Sequence, residues 1–274
     1  MKLEKEKLPK LIEELKKLGA KEENPPPHAL SRLRLDNSIV TIYKSGSIVF
    51  GGKETEEAKK LVAFLVSRET DRTPRIGCDE AGKGEFTGPL VLACIYADES
   101  TINKLIELQV KDSKKLTKSR ILKLADEIRK VCHGAVSVIT PQKYNELYEK
   151  HKNANRLMEE AYLKLIDKLL KKFKTEKIVV DRFSRTLEKK LKEIFPDKEI
   201  EVIPRADEKD IVVAAASIVA KAERLKFMEK LSEEAGFTLP EGNLKNRELL
   251  EKIPPHLHHK FFKTHFNVGE KDER

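Results

Sequence analysis

Residues Ile76–Ala97, IGCDEAGKGEFTGPLVLACIYA, constrain this chain more than any other stretch. Leu90 to Ala97 is an uninterrupted apolar run with the length and β-branched content of a buried strand. Before it lies a turn rich in glycine (Gly82, Gly84, Gly88) that closes on Pro89, and before that Arg75 to Cys78 can end another strand. Between strand and turn stand two adjacent carboxylates, Asp79 and Glu80. Acids beside glycines make poor core, and hard cations such as Mg2+ take carboxylate oxygens, so this corner is a candidate cation site rather than only a solvated turn. Gly77 to Lys83, GCDEAGK, also fits part of a phosphate-binding loop, but Gly84 follows where that loop needs Ser or Thr. Two carboxylates would moreover repel the phosphate that backbone N–H groups are meant to cradle. That reading is excluded.

The rest of the chain reads as two units. Leu3, Leu8, Leu11, Ile12, Leu15 and Leu18 form a helical stripe that Gly19 can end, and Pro25-Pro26-Pro27 breaks any continuation. Strands are predicted at His28–Leu35, Ile39–Tyr43 and Ser47–Phe50, and a helix over Lys53–Val66. This α-β-β-β-α unit is assigned residues 1–70, with a linker in the polar stretch Ser67–Pro74. Residues 71–274 alternate helices and strands as α/β folds do. Strands are predicted at Ala135–Ile139, at Lys177–Val180 stopping at Asp181, and at Glu199–Ile203. Helices fill the intervals, with Thr117 as an N-cap and Pro141 at a helix start. The most periodic helix, Asp210–Leu231, is lined with small residues (Ala214, Ala215, Ala216, Ala220) that let it lie close on a sheet.

The formal net charge of +9 favours a polyanionic partner such as nucleic acid. Residues 1–70 hold 14 Lys/Arg and 11 Asp/Glu, so +3 of that excess lies there and +6 in the remainder. An anionic membrane is the competing partner, but no apolar run approaches 18 residues and no signal peptide is evident. The three cysteines (Cys78, Cys94, Cys132) have neither zinc spacing nor the look of a disulfide framework. They are expected as buried small hydrophobes in a reducing, cytoplasmic protein. The tail histidines His256, His258 and His259 are expected on an exposed basic segment, not as metal ligands.

Asp79, Glu80, Asp181 and Asp207 stand at ends of predicted strands or the start of a predicted helix, where α/β sheets bind ligands. Four acids around one crevice repel one another unless cations offset the charge. A carboxylate-held metal pair can activate water and stabilise the leaving oxygen of a phosphodiester. A basic protein with such a centre reads as a nuclease.

The ordered runs DEAGKGEFTGPL (79–90), DSKKL (112–116), VDRF (180–183) and AAASIVAK (214–221) resemble the type 2 ribonucleases H. YKSGSIVFGG (43–52) resembles the TBP-like substrate-binding domain of the ribonuclease HIII subfamily, and QKYNELYEKH (142–151) is similar to that subfamily as well. The resemblance implies an RNase H-like α/β catalytic domain, a mixed sheet flanked by helices, preceded by a small α+β TBP-like domain. It implies that Asp79, Glu80, Asp181 and Asp207 are catalytic ligands for two Mg2+ or Mn2+ ions, Asp207 being placed by its offset from the AAASI run with Asp210 close by. Gly82-Lys83-Gly84 matches the tripeptide whose backbone reads ribose 2′-hydroxyls, Ser113 and Lys114 would contact the nucleic-acid backbone, and Tyr43 and Lys44 would meet the hybrid from the N-terminal unit. The implied activity is cleavage of the RNA strand of RNA/DNA hybrids to 5′-phosphate and 3′-hydroxyl ends, with no membrane and no obligate protein partner.

Two departures bear on substrate choice. The tripeptide carries Lys83, where ribonuclease HIII typically has Thr and ribonuclease HII typically Arg. No tyrosine follows Tyr162, whereas ribonuclease HII stacks a C-terminal-side tyrosine at the RNA–DNA junction. The missing tyrosine favours runs of ribonucleotides; Lys83 keeps open an HII-like nicking of single embedded ribonucleotides. A non-catalytic nucleic-acid-binding protein is the rival from another class, and the presence of all four acids argues against it.

Overall fold

The computed structural model describes residues 3, 5–67, 70–110, 116–243 and 246–266. The chain divides into two compact units, Met1–Asp71 and Arg72–Arg274.

In the first unit, a short 3-10 turn leads into helix α1 (Leu8–Lys17), followed by strands β1 (Lys21–Glu23), β2 (Ala29–Leu35), β3 (Ser38–Tyr43) and β4 (Ile48–Gly52) and helix α2 (Thr55–Ser67). The strands form one antiparallel sheet in the order β1-β2-β3-β4. Periodicity predicts three strands; the structure has four. The extra one, Lys-Glu-Glu, has no apolar alternation and is held by polar side chains, Glu22 to Ser31 and Glu23 to both Arg32 and Arg34. Leu33, Val40, Ile42 and Ile48 face Leu8, Leu11, Leu15, Ala58 and Val62 of the two helices. By the two-residue period of a strand, Arg32, Arg34, Ile39, Thr41, Tyr43 and Val49 point to the opposite face, away from the side on which α1 and α2 pack.

The second unit is built on a five-stranded mixed sheet. Its strands are β5 (Arg75–Ala81), β6 (Leu90–Ala97), β7 (His133–Ile139), β8 (Lys177–Asp181) and β9 (Glu199–Ile203), in the order β7-β6-β5-β8-β9. β5 pairs antiparallel with β6 and parallel with β8. Helices α3 (Glu99–Glu107), α4 (Lys118–Val131), α5 (Pro141–His151), α6 (Ala154–Leu170), α7 (Leu187–Ile194), α8 (Ala206–Lys209) and α9 (Ile211–Ala235) cover the sheet. One face packs on α3, α4 and α9, the other on α5, α6 and α7. Thr117 and Thr140 cap α4 and α5 by accepting the N–H groups of Arg120 and Lys143.

α9 runs a turn beyond the predicted end, to a left-handed Gly236. It lies so close to β5 that a Cβ on Gly77 would stand 2.6 Å from the backbone of Val212 and Val213. Its start is fixed by Asp210, which accepts the N–H groups of Val212 (2.8 Å) and Val213 (3.0 Å) through one oxygen. The other oxygen takes Nε of the fully buried Arg75 at 2.6 Å.

The cysteine expectation holds for burial, since all three side chains are buried, and is corrected for pairing. Cys78 and Cys94 are direct partners across β5 and β6, and the structure joins them in a disulfide. Strand register brings together two residues 16 apart, and spacing alone does not reveal register. Cys132 is free and buried.

Asp210 is thus a structural residue. Asp210→Ala removes the carboxylate bonded to the buried Arg75 Nε and uncaps α9, and should cost about 2–5 kcal/mol in denaturant unfolding. A loss below about 1 kcal/mol would contradict this role.

Candidate active site

β5 carries Asp79 and Glu80 to its C-terminal end, and its parallel neighbour β8 ends on Asp181. Asp79 accepts the N–H of Glu80 at 2.8 Å, and α9 brings Ser217 down near it, where the hydroxyl favours the charged carboxylate. Asp181 Oδ1 accepts the N–H of Ala206 at 2.7 Å, at the start of α8. Glu80 Oε2 accepts the phenol of Tyr162 on α6 at 2.6 Å. The structure therefore brings Asp79, Glu80 and Asp181 into one electrostatic group. Asp207 follows Ala206 in the four-residue α8 and is half-buried, whereas Asp210 is committed to Arg75 and the α9 terminus. Ser113 and Lys114 lie outside the described residues.

Burial dominates the electrostatics. It pushes the Asp79 carboxyl up to about 8, with the neighbouring Glu80 charge adding to the effect. Glu80 is pushed up to about 7 by burial, opposed by the hydrogen bond from Tyr162 and by the Lys83 charge. Acids held this way are short of positive charge, and oxygen donors of this kind suit a hard divalent cation. Among the described residues no cluster of three or more acidic, His or Cys side chains is arranged to hold a metal ion by itself. An open donor set of this kind fits Mg2+, which keeps water and substrate phosphate in its shell.

The glycine turn is held from below. Gly82 has φ +85°, and a Cβ there would stand 2.6 Å from Arg224 Nε. Arg224, buried on α9, donates to Glu85 (2.8 Å) and to the Thr87 carbonyl (3.1 Å), and Glu85 accepts the Gly242 N–H at 2.6 Å. Lys83 Nζ donates to the Phe183 carbonyl at 3.0 Å and lies 4.9 Å from the centre of that ring. A Cβ on Gly84, by contrast, would meet nothing within 4 Å.

The C-terminal segment closes the same region. Gly88 N–H donates to the Phe261 carbonyl and Lys263 N–H to the Phe86 carbonyl, and Phe86 stacks on Phe262 at 4.5 Å. Lys263, fully buried, donates Nζ to the Gly88 carbonyl at 3.0 Å over the Tyr144 ring. His256 and His259 are exposed, while His258 Nε2 meets the Ile253 carbonyl at 2.7 Å. Tyr162, Arg224 and Lys263 carry much of this support, and no motif singles them out: a tyrosine on a helical apolar stripe reads as core, and Lys and Arg read as surface.

Comparison with known proteins follows the division into units. The ribonuclease HII family profile matches residues 76–267, and a domain of unknown function (DUF3378) matches residues 1–70. Ribonuclease HIII of Chlamydia pneumoniae is 38% identical over 261 residues, covering 89% of this chain and 87% of that protein. The crystal structure of Aquifex aeolicus RNase H3 superposes with a TM-score of 0.62 at 28% identity, covering 97% of this chain and 99% of that one. Bst-RNase HIII, solved in complex with Mn2+, gives 0.65 at 26% identity, covering 94% and 93%.

Burial pushes the Lys263 ammonium down to about 7. Between that value and the ordinary lysine range the folded chain holds fewer protons than the unfolded one, so stability from this group rises with pH across the window and is lost as pH falls through 7. Lys263→Met should raise the melting temperature at pH 6–7 and lose that advantage by about pH 10. Parallel melting-temperature profiles for the two proteins would show that the ammonium is not held at this cost.

Proposed function

Because this chain belongs to the ribonuclease HIII family, an endoribonuclease family acting on RNA/DNA hybrids, we propose that Asp79, Glu80, Asp181 and Asp207 are its catalytic carboxylates. The observation that carries the reading is the convergence of Asp79, Glu80 and Asp181 at the ends of two adjacent parallel strands, with burial raising the first two. Their oxygens, with those of Asp207, would hold two Mg2+ or Mn2+ ions. Divalent cations bound there supply an activated water for in-line attack and neutralise the departing 3′ oxygen. The protein's own part is positional. Backbone donors and the Tyr162 phenol hold Asp79, Glu80 and Asp181, and α9 seats the strand that carries the first two. The open space at Gly84 lets backbone come close to a ribose 2′-hydroxyl, the group that distinguishes RNA from DNA. Products would carry 5′-phosphate and 3′-hydroxyl ends.

Lys83 supports a preference for runs of ribonucleotides. Its ammonium is engaged by the Phe183 carbonyl and ring, so it does not stand free to read a junction. Cleavage of an all-RNA/DNA hybrid and of a duplex with one embedded ribonucleotide, each with Mg2+, tests this. Only the hybrid should be cut efficiently. Asp79→Asn should abolish that cleavage while retaining hybrid binding, and full activity in the variant would refute the carboxylate assignment.

Residues 1–70 are proposed as the TBP-like hybrid-binding domain, acting through the sheet face that bears Tyr43, with Lys44 in the adjoining turn. Arg32, Arg34, Ile39 and Val49 on that face offer the mixture of charge and apolar surface that a sugar-phosphate strand needs. Lys44→Ala should weaken binding alike for all hybrid sequences and lower the slope of log affinity against log salt by about one. An unchanged slope would remove Lys44 from the interface. No described helix is long and apolar enough to cross a membrane, and a cytoplasmic location suits the substrate.

A further inference from the structure

Three carboxylates sit together, and each has an oxygen tied to a neutral donor. For Asp79 and Asp181 those donors include backbone N–H groups, of Glu80 and Ala206. Glu80 has the longer side chain, with one more torsion to fix, and no backbone donor reaches its carboxylate among the described residues. Among the described residues its side-chain hydrogen-bond partner is the Tyr162 hydroxyl, at 2.6 Å, inside the range of charge-assisted O–H···O bonds.

We propose that Tyr162 is a positioning residue for cleavage: its hydroxyl fixes the Glu80 carboxylate in the arrangement that binds the divalent cation. The inference rests on the reading of Glu80 as a cation ligand.

The surroundings of Tyr162 support a role beyond filling space. Its side chain is fully buried among Leu157, Met158, Leu165 and Ile166, where phenylalanine would pack as well and a hydroxyl without a partner would be costly. The ring is held from both sides of the site. It stacks on Phe183 at 5.4 Å, and Phe183 is in turn gripped by Lys83 from the glycine turn. The path Glu80, Tyr162, Phe183, Lys83 therefore starts and ends three residues apart on the catalytic stretch. One helical turn earlier on α6, the buried Glu159 accepts hydrogen bonds from Ser184 (2.6 Å), Thr186 (2.6 Å) and Lys190 (2.5 Å), anchoring the loop that follows Asp181. A single helix thus sets the geometry of Glu80 directly and of the segment beyond Asp181 through Glu159.

The test uses the full chain and Mn2+ as probe. Tyr162→Phe removes one oxygen and keeps the ring. Its Mn2+ dissociation constant, measured by calorimetry without hybrid, should rise about ten- to a hundredfold, with kcat falling to match and KM for the hybrid within about twofold of the parent. Excess Mn2+ should recover part of kcat. A lower melting temperature with unchanged Mn2+ affinity and kcat would make the residue merely structural and overturn the proposal. If Tyr162→Phe does not fold, Phe183→Leu, which frees the tyrosine ring but keeps its hydroxyl, should raise the same constant by a smaller factor, and no change would again overturn it. Glu80→Gln run in parallel separates the two layers: if it leaves Mn2+ binding intact, the assignment of Glu80 itself fails, whatever Tyr162 does.

Discussion

The approach of α9 to β5 is the constraint on which the second unit depends. Gly77 has no side chain, so the helix backbone comes down onto the strand, and Arg75 with Asp210 pins the helix start there. From that height Ser217 reaches Asp79, and Arg224, two turns further on, reaches beneath the glycine turn. The run of small residues along the helix is the same requirement seen from the other partner. Strand, acid and turn are placed by one contact between two backbones.

Burial gives the acids their character. Carboxylates at the surface would be charged and mobile; here burial makes the charged forms of Asp79 and Glu80 expensive, and the hydrogen bonds that tie them offset only part of that cost. The support is shared among elements distant in sequence: a phenol from α6, an amide from α8, a hydroxyl from α9. Lys83 belongs to this scaffold as much as to the turn, because its ammonium spends its hydrogen bond on the loop after Asp181.

Much of this was legible in the sequence. Asp79, Glu80 and Asp181 announce themselves because they interrupt apolar runs at strand ends, and Gly82 because only a turn needs it there. Other features were hidden for identifiable reasons. β1 is a strand made of Lys and Glu, stabilised by cross-strand charge rather than by alternation. The Cys78–Cys94 pair needs register, and Tyr162 looks like any core position of an amphipathic helix. Arg224 and Lys263 belong to residue types that are almost never fully buried, so nothing local distinguishes them from surface charge.

The hydrogen bonds between Phe86–Gly88 and Phe261–Lys263 have a consequence for how the protein matures. Asp79 and Glu80 emerge from the ribosome well before Phe261–Lys263, the segment that clamps the turn beside them. During synthesis the hairpin that carries the acids can form while its connecting turn still lacks these partners. The turn is thereby completed only by a segment far downstream, so that a product ended before Phe261 would carry the acids without the clamp beside them.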